Sequence, residues 1–226
     1  MTVAYDAFSS GVGANTYSFT HTPVGTPRAV IVYTTTGGAS DVTAVSYGGV
    51  AMTQMTGSPN NLSSGTEQGN VTGWFLGASI PTGAQSVQVT SGAATKIAYC
   101  NTLTGAADTE IVDVDATINS TSQANPSVVL SLGGRTCFAS ICVYSGQDAA
   151  GSVTPLTSWT SRNETDLGAQ ILAYYTYDTV GSTDVTSGWT QAADDALAIT
   201  AAISEIVTAT YNHRVIGGGF GGRVIG

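Results

Sequence analysis

Two imidazoles, His21 and His213, and three thiols, Cys100, Cys137 and Cys142, are the scarce reactive groups of this 226-residue chain. A serine hydrolase needs its histidine bonded to the serine and set by a carboxylate. No G-x-S-x-G turn is present to advertise such a serine. His21 falls at a strand end close to Pro23, and His213 lies in a glycine-rich terminus. The sequence therefore predicts no catalytic residues and no enzyme. Gly217, Gly219 and Gly222 satisfy G-x-G-x-x-G in form, but the chain stops four residues later, with no helix to receive a pyrophosphate. The cysteines show no C-x-x-C spacing and read as buried reduced thiols rather than disulfides or zinc ligands. Asp108, Glu110, Asp113 and Asp115 form the densest acidic run. Oxygen ligands of this type can hold calcium. Without EF-hand spacing, the plainer reading is a solvated acidic stretch, with Asp194-Asp195 a second pair. No cofactor and no metal is expected.

Glycosidases need two facing carboxylates. The glutamates are only Glu67, Glu110, Glu164 and Glu205, in no paired pattern. Sugar recognition by aromatic stacking has more to draw on. Trp159 and Trp189 fall near expected loop ends and are the candidate glycan contacts, while Trp74, Tyr175 and Tyr177 read as core aromatics within strands. The lone Lys96 reads as a solvated lysine, with an isopeptide bond to an asparagine as the remote alternative. Asn61, Asn70, Asn119 and Asn163 match N-x-S/T, as chance allows in a chain so rich in Ser and Thr.

These groups must be carried by β-structure. Charged residues make up 9% of the chain against a usual share of about 25%. That is too few for charge-driven disorder or a coiled coil. Six Lys+Arg against fifteen Asp+Glu exclude general nucleic-acid binding. No apolar run is long enough for a membrane-spanning helix. The N-terminus lacks the basic and apolar regions of a signal peptide, so folding in a cytoplasm is expected. Residues 85–90 alternate, with Val87 and Val89 inward. Gly48-Gly49 joins two β-rich runs as a hairpin turn. Residues 29–33 and 74–76 are apolar on both faces and suit central strands. Residues 191–198 are alanine-rich and read as a turn or helical loop before a last strand. Together these features predict an all-β, antiparallel sandwich over 1–208 in two stacked layers, jelly-roll-like, followed by an extended arm over 209–226.

The arm repeats Arg-Val-Ile-Gly at 214–217 and 223–226. A terminus this rich in glycine orders only when something holds it. Docking on a neighbouring subunit is expected, through Arg214, Val215, Ile216, Phe220, Arg223, Val224 and Ile225.

Three phrases add a resemblance: residues 45–53 (VSYGGVAMT), residues 74–90 (WFLGASIPTGAQSVQVT) and residues 103–108 (LTGAAD). With them the chain resembles jelly-roll, concanavalin-like β-sandwich domains of bacteriophage structural proteins and bacterial surface proteins. The resemblance covers about residues 1–208. It implies a virion protein that builds or decorates a capsid or tail surface, with copies of itself and other virion proteins as partners. A lectin-like adhesion module, binding host glycan at an extracellular surface, is the alternative. Neither implies nucleic acid or membrane as a partner.

Overall fold

The computed structural model describes residues 2–38, 42–62, 68–147, 153–167, 170–181 and 183–205, with the backbone alone over 107–117. The described residues form strands and connections, with no helix. The first half contains β1 (Ala4–Gly13), β2 (Thr16–His21), β3 (Ala29–Thr36), β4 (Val42–Tyr47), β5 (Val50–Ala51), β6 (Thr53–Gln54), β7 (Asn60–Leu62), β8 (Gly69–Leu76), β9 (Gln85–Ser91) and β10 (Lys96–Thr104). The second contains β11 (Ala106–Gln123), β12 (Ser127–Leu130), β13 (Cys137–Ser145), β14 (Thr154–Pro155), β15 (Thr160–Asp166), β16 (Ile171–Val180), β17 (Val185–Thr190) and β18 (Asp194–Glu205). The expected all-β antiparallel sandwich is what the chain forms. The arm lies outside the described residues.

Where the sequence predicts two stacked layers, the described residues build four sheets, because the chain uses one strand order twice. The first half pairs β1-β10-β3-β8 in one sheet and β2-β9-β4-β5 in another. The second half pairs β11-β18-β13-β16 and β12-β17-β14 in the same relative order. Residue echoes are few. Val32-Tyr33 and Val42-Thr43 recur, at one common interval, as Val143-Tyr144 and Val153-Thr154. Their faces agree as well: Val32 and Val143 point into the core of their own half, and Tyr33 and Tyr144 into the core between halves.

Each half closes a sandwich around its own core. Val30, Val32, Trp74, Val87, Val89 and Cys100 fill the first. Leu130, Ile141, Val143, Trp159, Ala173 and Trp189 fill the second. The two larger sheets then pack back to back over a third core. β3, β8 and β13 are therefore buried on both faces, which is why their runs are continuously apolar or threonine-rich. One residue, Gly105, joins the halves. Its φ of +65° suits glycine, and a Cβ there would stand 2.1 Å from the Thr2 carbonyl oxygen. Gly48 and Gly49, at φ +55° and +81°, make the expected β4–β5 hairpin turn.

The seam between halves is aromatic at its centre. Tyr174 stacks on Phe8 and on Tyr99, with ring centroids 5.6 Å apart in each pair, and meets Tyr33 at 5.7 Å. Polar groups close its margins. Asn60 Nδ2 donates to the carbonyls of Ile118 and Ala198, both at 3.0 Å, where the β11–β18 ladder is irregular. Asn119 Nδ2 returns to Asn60 Oδ1 at 2.8 Å, and Asn70 Nδ2 donates to Asn61 Oδ1. The Arg162 guanidinium lies 3.8 Å over the Tyr5 ring and pairs with Asp178 at 2.6 Å.

Among the described residues, the Asn101 side chain is one of the buried groups in this region that have no partner. Asn101 alternates with Tyr99 and Leu103 on the seam face of β10, is fully buried, and has neither amide atom hydrogen-bonded. An unpaired buried amide costs about 1–3 kcal/mol. Asn101→Leu, which keeps the four side-chain heavy atoms and their branching but removes the unpaired polar atoms, is expected to raise the unfolding free energy by about 1–2 kcal/mol. Urea unfolding of the two chains checks this, and a less stable variant would show that the amide has a partner in solution.

Residues 191–198, expected as a turn or helical loop, bend only at 192–193 and enter β18 at Asp194. Helix propensity is a weak force against the two ladders that flank this segment. The alanines serve the packing: Ala196, Ala198 and Ala202 are among the small residues of the second half's core, which also holds Trp159, Trp189 and Tyr175.

Candidate functional site

The described residues concentrate reactive side chains at one place, the open edge of the first sandwich. β1 and β2 are consecutive strands that lie in different sheets. The face of β1 toward β2 carries Ser9, Gly11 and Gly13, and β2 lays His21, Phe19 and Tyr17 over them in that order. A Cβ on Gly11 would fall 2.4 Å from the Phe19 ring, and one on Gly13 would fall 2.3 Å from Tyr17. At the third place serine stands beneath histidine, and Ser9 Oγ lies 2.7 Å from His21 Nδ1.

The opposite ring nitrogen, Nε2, lies 3.1 Å from Thr102 Oγ1. Thr102 donates its one hydroxyl proton to Asp6 Oδ2 at 2.8 Å. Toward His21 it can only accept, so Nε2 carries the ring proton and Nδ1 the lone pair. Ser9 must then donate to Nδ1. Each link of Ser9–His21–Thr102–Asp6 thus has a fixed direction and ends on a carboxylate. Asp6 is itself held by the Gly25 amide at 2.7 Å and the Val24 amide at 3.3 Å. His21 is 1% exposed, and this burial lowers its pKa to about 4, partly offset by the Asp6 charge. At neutral pH the imidazole is a neutral acceptor facing a serine.

Two features flank the chain of hydrogen bonds. Tyr47 lies edge-on to His21 at 6.0 Å, fully buried, and its hydroxyl has no partner among the described residues. The loop that holds Asp6 continues into Thr26, Pro27 and Arg28. These line an open cleft of about 270 Å³ opposite Gly77–Ile80 and Thr82.

The residues singled out from sequence fall elsewhere. Trp159 and Trp189, expected at the surface as glycan contacts, are corrected: they are 6% and 0% exposed, inside the second core. The Trp159 indole donates to the Thr186 carbonyl at 3.0 Å, and that of Trp189 to Gln191 Oε1 at 2.6 Å. Trp189 belongs to β17 itself and packs with Trp159 into the second core, which their place near turns does not reveal. Lys96, expected to be solvated, is 1% exposed, with Nζ donating to the Ala94 carbonyl at 3.0 Å and the Gly92 carbonyl at 3.4 Å. The cysteines are free and buried as expected, one in each core, and burial pushes the Cys100 and Cys142 thiols well above their ordinary range. Asn70, a formal glycosylation site, is fully buried and hydrogen-bonded.

The acidic residues Asp108, Glu110, Asp113 and Asp115 lie on the β11 backbone, and their side chains are outside the described residues. No group of three metal-ligating side chains occurs among the described residues. Arg214, Val215, Ile216, Phe220, Arg223, Val224 and Ile225 also lie outside them. His21 was visible in the sequence, but its partners were not: Thr102 is 81 residues away, and no local motif links the two.

Comparison with known proteins gives no match to any family model, curated protein or solved structure.

Proposed function

We propose that this chain is a structural protein of a bacteriophage virion, building or decorating a capsid or tail surface by self-assembly. Each half would be a jelly roll. In the second half the order first-eighth-third-sixth in one sheet and second-seventh-fourth in the other supports that reading, and the first half follows the same relative order with two extra short strands. The 209–226 arm would reach a neighbouring copy, and the net charge of −9 would keep unassembled copies apart.

The observation that supports this reading is where β18, the last described strand before the arm, ends. β18 lies between β11 and β13, hydrogen-bonded on both sides. Its last residue, Glu205, pairs with Ala106 beside the Gly105 joint and donates its amide to the Thr136 carbonyl at 3.0 Å. An arm that follows Glu205 would hand any load to the two ladders of β18. The adhesion alternative rested on Trp159 and Trp189, and with both in the core no observation favours it.

Deleting residues 206–226 tests the proposal. The intact chain is expected to elute as a multimer in size-exclusion chromatography, and the shortened chain as a monomer with an unchanged circular dichroism spectrum. Assembly of the shortened chain would overturn the role of the arm.

A further inference from the structure

Nothing in the assembly reading uses the directed hydroxyl of Ser9. Any two polar groups could tie β1 to β2. This pair does more. The Ser9 proton points at an imidazole lone pair 2.7 Å away, the tautomer that supplies the lone pair is set by Thr102, and Thr102 is set by Asp6. A nucleophile bonded to a base that a third group orients is the general arrangement of an activated serine. Here the third group acts through a hydroxyl rather than by direct contact of carboxylate and ring.

We propose that Ser9 is a nucleophile that accepts the acyl group of small activated esters, with His21 as its base. Ser9 Oγ forms a bond to the ester carbonyl carbon, and its proton passes to His21 Nδ1. The bond to the leaving oxygen breaks, and that oxygen departs with the proton from Nδ1. Water then attacks the acyl-serine, giving one proton to Nδ1. The Oγ–acyl bond breaks, the acid is released, and the proton returns to Ser9. Thr102 and Asp6 are positioning residues: they keep Nε2 protonated so that Nδ1 stays the base. Ser9 is partly exposed, whereas its base is buried. The proposal is independent of the assembly reading.

The test is incubation of the full chain with p-nitrophenyl acetate. It is followed by release of nitrophenolate and by peptide mapping of the acetylated protein. One acetyl group on Ser9 is expected, with a rate level from about pH 5 to pH 8 because the neutral imidazole is already the base. Ser9→Ala is expected to lose the adduct, and His21→Gln to slow its formation by about 100-fold. Mapping and pH dependence in the unaltered chain decide the matter even if His21→Gln does not fold. No adduct together with no nitrophenolate release above the rate in buffer, an adduct only at other residues, a rate that climbs steadily with hydroxide, or equal acetylation of a folded His21→Gln chain would each overturn the proposal.

Discussion

Replacing Tyr174 with alanine is expected to cost about 4 kcal/mol, within the range for removing a large buried aromatic residue. The ring belongs to the second half, yet the three aromatics it meets, Phe8, Tyr33 and Tyr99, all belong to the first. Its loss opens a cavity in the core between halves rather than within either one. The halves should therefore lose their coupling as well as stability. In calorimetry the intact chain is expected to unfold in one transition, and the variant in a broadened or doubled one about 10 °C lower. Tyr177→Ala is the control, since Tyr177 is only partly buried and packs within the second half against Trp159. A Tyr174→Ala chain that still melts in one sharp transition near the original temperature would show that the seam does not depend on this ring.

Acidification is the second large effect. Burial lowers the His21 pKa from its ordinary 6.5 to about 4. Between these values the unfolded chain binds a proton at this site and the folded chain does not, so stability rises with pH across the window. The contribution is complete above about pH 6.5 and fades as pH falls toward 4. One pKa unit corresponds to about 1.4 kcal/mol, so the loss comes to about 3 kcal/mol. Urea unfolding at pH 7, 6, 5 and 4.5 measures it directly. His21→Gln is expected to be less stable than the intact chain at pH 7, and its stability should fall less steeply with acid through this window. Parallel curves for the two chains would assign the pH dependence to other groups.

Much of the fold was legible because it is written locally. Alternation placed Val87 and Val89 inward, the Gly48-Gly49 pair fixed a hairpin, and two-sided apolar runs marked β3 and β8 as central. The repeat was not legible. What the two halves share is strand order and the facing of a few positions such as Tyr33 and Tyr144, and neither survives as a readable motif. The tryptophans misled for a related reason. A residue near a turn looks exposed until the sheet that covers it is known, and β17 was not recognised as a strand. Residues 194–198 were obscured by alanine, whose helix preference says nothing about the narrow space between two ladders. The hydrogen-bonded chain from Ser9 to Asp6 joins β1, β2 and β10, and only the folded topology brings those strands together.

The claim on which the functional reading stands is that copies of this chain join one another. Sedimentation equilibrium of the intact 226-residue chain, over a hundredfold range of concentration at neutral pH, measures that property without altering a residue. The account predicts a mass that is a whole multiple of the chain's own and that persists on dilution. A single-chain mass at every concentration would contradict it.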